Sequence, residues 1–150
     1  MKSRLIGQLL VGLQFGLVAA VAVPAARPFL VGVAGAGPWL LMLSGLTLGT
    51  WALTCNRPGN FNIHPPPREG GQLVQSGPYR WIRHPMYSAV LLVAAACAWA
   101  DASAWAWLAM AALAAVLSVK AGLEERWMAA KHPGYADYCS RTRRFVPGLF

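Results

Sequence analysis

Residues 77–87 read GPYRWIRHPMY, and an apolar run, Ser88–Ala100, follows them without a break. Proline suits the first turn of a helix because its missing N–H would have no partner there, so Pro85 predicts that a helix begins at that residue. Arg83 and His84 are therefore expected where this helix emerges from a membrane into headgroups or water. The N-terminus of a helix favours anionic ligands such as carboxylates. The simpler alternative is that the arginines of this stretch are interfacial anchors and that His84 is a cap.

The composition of the whole chain indicates a membrane protein. Of its 150 residues, 57% are hydrophobic and only 12% are charged, whereas a soluble domain carries about 25% charged residues. The apolar residues also form long runs, which are typical of membrane-spanning helices. We predict an all-α integral membrane protein of one domain, 1–150. Its four transmembrane helices are expected at about 5–23, 38–55, 85–100 and 102–119.

Prolines and glycines set the predicted boundaries of these helices. Pro24 and Pro28 are expected to end the first helix, since an internal proline removes a hydrogen bond and clashes with the preceding turn. The connection 56–84 is rich in proline and glycine, and a connection of this length is usually functional or disordered. In the C-terminal segment 120–150, we expect an amphipathic helix over Lys120–Lys131 that ends at the following His-Pro-Gly.

The distribution of basic residues predicts the orientation in the membrane. Of the 13 Lys and Arg residues, only Arg27 falls between the first two predicted helices; the others precede helix one, lie in 56–84, or follow helix four. Cytoplasmic segments carry the excess of Lys and Arg. Both termini and the connection 56–84 are therefore expected on the cytoplasmic side, as in a protein of the bacterial inner membrane.

Several classes of function are disfavoured. The net charge of +8 comes from residues that flank apolar blocks, so anionic lipid headgroups are the expected counter-charge and not nucleic acid. The three cysteines show no metal-ligand or disulfide spacing, so no metal is expected. Neither a phosphate-binding glycine loop nor a hydrolase motif is present. A reaction that needs few catalytic groups fits best, and methyl transfer from S-adenosylmethionine is one, because the cofactor carries the hard chemistry.

Glu124 and Glu125 are the acidic residues that the predicted topology brings to the same face as His84. Carboxylates near a membrane are costly unless they are paired or solvated. Lys120 and Glu124 are four residues apart on one helix, so an intrahelical ion pair is the simpler interpretation. The functional interpretation is that Glu124 contacts a ligand held by the His84 region.

These elements together resemble the isoprenylcysteine carboxyl methyltransferase family and the related phospholipid N-methyltransferases. The resemblance covers about residues 56–150 and is carried by a Leu-Val-x-Ser-Gly element at 73–77, by Arg-His-Pro-x-Tyr at 83–87, by the acidic pair at 124–125 and by the aromatic C-terminal segment. Two positions depart from the eukaryotic members: Lys120 stands in place of an arginine, and a proline run at 65–67 replaces a glutamine. Both departures bear on whether the substrate is a prenylcysteine, and less on which cofactor is bound.

The resemblance implies a cytoplasmic S-adenosylmethionine pocket that the C-terminal segment closes. Arg83 and Glu124 would be catalytic, and Lys120 would bind the substrate, a lipid-like or amphipathic acceptor methylated on a carboxyl or an amine. The residues that would bind the cofactor are Gln72, Leu73, Val74, Tyr79, His84, Pro85, Met86, Tyr87, Glu124 and Glu125. The choice between Glu124 and Glu125 as the cofactor ligand stays open.

Two other functions compete with methyl transfer. Membrane sterol reductases share an element similar to Arg-His-Pro-x-Tyr but bind NADPH, and they are usually much longer. The other alternative is a small membrane protein without catalytic activity, whose connection 56–84 binds a partner. Glycine pairs spaced GxxxG, Gly12 with Gly16 and Gly45 with Gly49, predict close helix packing and permit a homo-oligomer.

Overall fold

The computed structural model describes residues 2–56 and 73–148, with side chains from residue 5 onward. Five α-helices follow one another within these ranges: α1 (Lys2–Leu30), α2 (Ala36–Cys55), α3 (Pro85–Asp101), α4 (Ala104–Lys131) and α5 (Tyr135–Arg141). A short 3₁₀ turn, Gly77–Arg80, precedes α3. Within the described ranges no strand is formed, and one isolated β-bridge joins Ile82 to Arg143. The all-α prediction is confirmed.

The first helix is longer than the sequence predicted. Pro24 and Pro28 lie inside α1 and do not end it, because the helix continues to Leu30. An internal proline breaks a helix in water, but in a membrane helix neighbouring groups satisfy the freed carbonyls and the helix persists. The turn that does end α1 is closed by the N–H groups of Val33 and Ala34, which both donate to the carbonyl of Pro28.

The turn between α3 and α4 is tight, in keeping with the single residue that the predicted bounds, 85–100 and 102–119, left between these helices. Asp101 is the last residue of α3, and Ala102 adopts a left-handed conformation with a φ of 56°. Ser103 then caps α4: its hydroxyl oxygen accepts a hydrogen bond of 3.1 Å from the backbone N–H of Ala106. Such a cap satisfies one of the N–H groups that a helix start leaves without a partner.

The fourth helix and the predicted amphipathic helix are one continuous element. The sequence divided this region into a span at 102–119 and a helix at Lys120–Lys131, but α4 runs unbroken from Ala104 to Lys131. It ends at His132, as predicted, and α5 follows after Gly134. The short helix α5 was not predicted.

Three of the described helices are long and apolar enough to cross a membrane: Leu5–Leu30 within α1, the whole of α2 and the whole of α4. Helix α3 is apolar but has only 17 residues, which corresponds to about 25 Å of helix. The sequence also predicted that this helix would be short. The count of four spans and the orientation of the termini stay predictions.

Helices α2 and α3 approach each other closely at Gly45. A Cβ atom at that position would lie 2.8 Å from a methyl of Val93 and 2.9 Å from the carbonyl oxygen of Ala89. The glycine pair of α2 is therefore used inside the molecule, as predicted. At Gly12 and Gly16 of α1 nothing among the described residues lies within 4 Å of such a Cβ, so these two glycines serve no packing within the described protein.

Helices α1, α3 and α4 enclose the core, which contains Val21, Ala98, Leu113 and Leu117. Helices α1 and α4 pack against each other, and Gln14 of α1 meets Lys120 of α4. The first turn of α3 lies at the same level, because the ring of Tyr87 contacts the Lys120 ammonium. The C-terminal third of α4 therefore passes the start of α3, which places its acidic pair beside Arg83 and His84.

Candidate functional site

The segment before α3 is docked onto the C-terminal segment by backbone hydrogen bonds. The N–H of Arg83 donates to the carbonyl of Arg143 at 2.7 Å, and the N–H of His84 donates to that of Arg144 at 3.1 Å. In return, the N–H of Arg143 donates to the carbonyl of Trp81 at 2.9 Å. These bonds fix the positions from which the side chains of Arg83, His84 and Arg144 reach the acidic pair of α4.

Glu125 is the centre of an ion-pair network. One carboxylate oxygen accepts a hydrogen bond of 2.8 Å from Arg83 Nε, and the other accepts one of 2.5 Å from Arg144 Nη2. The Nε atom of Arg144 and the Nε2 atom of His84 lie 3.2 Å and 3.3 Å from the first oxygen. Three basic side chains therefore converge on this one carboxylate.

Glu124 has a different set of partners. The hydroxyl of Tyr87 donates to Glu124 Oε1 at 2.5 Å, and His84 Nδ1 lies 3.5 Å from Glu124 Oε2. The imidazole of His84 also stacks on the Tyr87 ring, with the ring planes 6° apart and the centroids separated by 5.4 Å. His84 therefore lies between the two carboxylates, with one ring nitrogen toward each.

The two carboxylates determine the charge of His84. Burial by itself would lower the pKa of His84, but the hydrogen bonds to Glu124 and Glu125 outweigh burial and raise the pKa above its ordinary value. The ordinary value for histidine is about 6.5. The imidazole therefore favours its protonated form, in which both nitrogens are donors.

The C-terminal segment covers this cluster and is anchored by side chains at several points. Arg83 Nη1 donates to the carbonyl of Thr142 at 2.6 Å, and the Ser88 hydroxyl donates to the carbonyl of Phe145 at 2.6 Å. The Tyr138 hydroxyl donates to the carbonyl of Tyr79 at 2.8 Å. Burial raises the pKa of Tyr79 to about 12, so its phenol stays protonated at neutral pH. These contacts hold the C-terminal segment over the cluster; its closure of a cofactor pocket stays a prediction.

Lys120 lies beneath the cluster and is almost completely buried, with 2% of its surface exposed. Its ammonium donates to Gln14 Oε1 at 2.5 Å and lies 5.3 Å from the centroid of the Tyr87 ring. Among the ion pairs of the described residues, none joins Lys120 to Glu124. The intrahelical ion pair, which was the simpler interpretation of the sequence, is therefore wrong for this structure.

The structure brings together most of the residues that the sequence singled out. Arg83, His84, Tyr87, Glu124 and Glu125 contact one another directly. The remaining residues of the predicted site lie around them: Pro85 is buried at the start of α3, Met86 follows it, and Leu73 and Val74 are half-buried in the segment before the 3₁₀ turn. Gln72 and the proline run 65–67 lie outside the described residues.

Two contributions to the cluster were not identified from the sequence. Arg144 was counted only as one of the tail's basic charges, although it pairs with Glu125. Gln14 was assigned no role from the sequence, although it binds Lys120. A polar amide in a membrane helix is costly without a partner, so the position of Gln14 did carry a signal; nothing in the sequence distinguished Arg144 from its basic neighbours.

The donors and acceptors of the cluster suit a zwitterionic ligand. A carboxylate has about four acceptor sites, and the described contacts of Glu124 use the Tyr87 hydroxyl and one nitrogen of His84. Glu124 therefore retains capacity for a cationic group, whereas Arg83 and the start of α3 supply donors for an anionic one; both nitrogens of His84 already face the two carboxylates. No group of three or more His, Cys, Asp and Glu side chains in the described ranges is placed to hold a metal ion.

The fold and the cluster together define a helical membrane protein with a polar site at one end of its bundle. Comparison with known proteins identifies the group: the chain belongs to the phospholipid methyltransferase family, which it matches over residues 33–133. This confirms the resemblance found in the sequence. The match includes the whole of α2, α3 and α4, whereas α1 and the C-terminal segment that carries Arg144 lie outside it.

One curated relative is the cobalt-zinc-cadmium resistance protein CzcN of Cupriavidus metallidurans, strain ATCC 43123 / DSM 2839 / NBRC 102507 / CH34. The two sequences are 34% identical over 117 residues, which cover 75% of this chain and 53% of the relative. The chain thus spans about half the length of this relative. No solved structure matches the chain.

Proposed function

We propose that this protein is an S-adenosylmethionine-dependent methyltransferase of the membrane, acting on a lipid-like or amphipathic acceptor. Membership of the phospholipid methyltransferase family supports a methyl-transfer reaction. The observation that carries the proposal is the convergence of Arg83, His84 and Tyr87 with the acidic pair of α4 at one end of an apolar helical bundle. Three described helices that are long and apolar enough to cross a membrane support an acceptor that comes from the bilayer.

Bound S-adenosylmethionine supplies a methyl group on a positively charged sulfur, which already makes it a good electrophile. The residues of this chain therefore need only hold, orient and shield the reactants. Glu124 binds the cofactor's ammonium with the acceptor capacity that Tyr87 and His84 leave free. Arg83 and the start of α3 bind its carboxylate. His84, which lies between Glu124 and Glu125, keeps Glu124 in position for the ammonium.

The two carboxylates of α4 have different roles in this proposal. Glu125 is engaged by Arg83, His84 and Arg144, so it holds the C-terminal segment against the site. Glu124 is the more available of the two and binds the cofactor. This assignment chooses Glu124 as the cofactor ligand, a choice that the sequence left open.

The other predicted residues complete the pocket. Gln72, Leu73, Val74, Tyr79, Pro85 and Met86 contact the cofactor, and the C-terminal segment excludes water above it. Lys120 lies one helical turn below Glu124 and binds the acceptor. The basic residues that accompany the site orient it toward the cytoplasm, with both termini on the same side.

Calorimetry on the detergent-purified protein tests the proposal. We expect S-adenosylhomocysteine to bind and NADPH not to bind. His84→Ala removes the side chain that holds Glu124 in position; a charge-assisted interaction of this kind is worth roughly 1.5–3 kcal/mol, so its loss should weaken binding by about ten- to a hundredfold. Arg141→Ala is the matched control, since Arg141 pairs with Asp137 on the exposed surface of α5. Binding of NADPH without S-adenosylhomocysteine would favour the reductase and refute the proposal.

A further inference from the structure

Lys120 carries its amino group inside the helical bundle, where charge is expensive. It is the largest of the fully buried side chains among the described residues. A charged group at this depth is stable only if polar groups or an opposite charge surround it. The described surroundings of its Nζ atom consist of one amide oxygen, from Gln14, and one aromatic face, from Tyr87.

The neighbouring acids of α4 form no direct ion pair with this ammonium. Glu124 lies one turn away but is engaged by the Tyr87 hydroxyl and by His84. Glu125 is engaged by three basic side chains. In the described part of the protein no carboxylate forms an ion pair with Lys120. An ammonium has three N–H donors, and Gln14 accepts from only one of them.

Gln14 comes from α1, which precedes the residues that match the family. The same helix carries a second glutamine, Gln8, which is exposed, whereas Gln14 is half-buried and directed at Lys120. An amide is suited to hold an ammonium because its oxygen accepts a hydrogen bond without cancelling the charge. Tyr87 is also half-buried, so the residues that contact Lys120 reach the surface of the bundle.

We propose that Gln14 is a positioning residue: it holds the Lys120 ammonium against the Tyr87 ring and leaves its charge available for an anionic group, a carboxylate or a phosphate, on the methyl acceptor. This inference rests on the proposed function, since it names the acceptor's chemical class. It adds α1 to the site and predicts discrimination against cationic amphiphiles. The methyl-transfer step itself needs nothing further from Gln14.

Gln14→Glu separates this role from a purely structural one. Glutamate keeps the length and the acceptor oxygen, so it continues to satisfy Lys120, but its negative charge turns the hydrogen bond into an ion pair. A structural role predicts equal or higher thermal stability and unchanged ligand binding. The positioning role predicts retained stability together with weaker binding of anions. Gln8→Glu, at the exposed glutamine of the same helix, is the matched control.

The probes are three amphiphiles of equal chain length: dodecanoate, dodecyl phosphate and dodecyltrimethylammonium. Their affinities are measured by native mass spectrometry of the detergent-purified full chain, and melting temperatures are recorded in parallel. We expect an anionic probe to bind better than the cationic one, and Gln14→Glu to weaken the anionic probe by roughly ten- to a hundredfold. A preference between dodecanoate and dodecyl phosphate identifies the anionic group. Gln8→Glu should leave all affinities unchanged.

Two results would overturn the inference: equal binding of all three probes by the native protein, or unchanged anion affinity in Gln14→Glu. If Gln14→Glu does not fold, a double-mutant cycle of Gln14→Leu and Lys120→Met decides, because Gln14→Leu must have no effect on anion affinity once Lys120 is absent. Calorimetry of the native protein with S-adenosylhomocysteine is run beside these measurements. A failure there refutes the proposed function, whereas a failure of the anion experiments refutes only the role of Gln14.

Discussion

Replacing each carboxylate of the acidic pair by its amide should give two different phenotypes. In Glu125→Gln, the guanidinium of Arg83 loses its carboxylate, and only 13% of the Arg83 side chain and 15% of the Glu125 side chain are exposed. Breaking a buried ion pair by removing one partner costs about 3–5 kcal/mol, because the remaining charge is left uncompensated. Arg144 and His84 lose the same partner. We therefore expect a clear fall in the melting temperature of Glu125→Gln.

Glu124→Gln should preserve the fold and weaken the binding of the cofactor. The amide oxygen of glutamine still accepts the hydrogen bond from the Tyr87 hydroxyl, so we expect a small change in melting temperature. The charge-assisted hydrogen bond to the cofactor's ammonium is lost, which corresponds to roughly a ten- to hundredfold loss of affinity.

Thermal unfolding in detergent and calorimetry with S-adenosylhomocysteine measure the two effects on the same preparations. If the Glu125→Gln variant still binds S-adenosylhomocysteine, a saturating concentration of this ligand should raise its melting temperature. Normal binding in Glu124→Gln, together with lost binding and an unchanged melting temperature in Glu125→Gln, would show that the roles of the two carboxylates are reversed. Unchanged behaviour of both variants would refute the cluster as a binding site.

Three further predictions concern packing, pH and topology. Gly45→Ala should destabilise the protein by about 1–3 kcal/mol in thermal unfolding, because the new Cβ would meet Val93 and the Ala89 carbonyl; Gly16→Ala, with open space, should be neutral or stabilising. Because the folded state raises the pKa of His84, the stabilisation from its pairing should be complete below about pH 6.5 and lost as the pH rises through that raised value. A pH series of melting temperatures should show this loss of stability in the native protein. The same loss in His84→Gln would contradict its assignment to His84. Reporter fusions after Arg27 and after Asp101 should report the outside and one near Arg68 the inside, and an external Arg68 would exclude a cytoplasmic site.

The sequence predicted the helices best where apolar runs end in an unambiguous signal. The start of α3 at Pro85 and the end of α4 at His132 were placed correctly because proline at a first turn and the His-Pro-Gly run are local signals. The end of α1 was placed too early, since the rule for proline was taken from helices in water. The sequence divided α4 at Lys120 because a lysine normally marks the edge of a span.

The sequence predicted which residues form the site but not which of them pair with one another. The motif at 83–87 and the acidic pair were identified, and the structure places them in contact. The partners of each carboxylate depend on how α4 passes the start of α3, which no local pattern encodes. The spacing alone made a Lys120–Glu124 ion pair the simpler interpretation, whereas the packing of α1 gives Lys120 a different partner.

The contacts of Gln14 and Arg144 bear on how the protein can be divided. A fragment that contains only the residues that match the family, 33–133, would lack both side chains. Lys120 would then lose its amide partner, and Glu125 would lose one of its two arginines. The fragment would keep the family's motifs but not the groups that hold two of its charges in place. For this protein, the part that is recognisable by sequence is therefore smaller than the part that has to be kept for the site to survive truncation or grafting onto another scaffold.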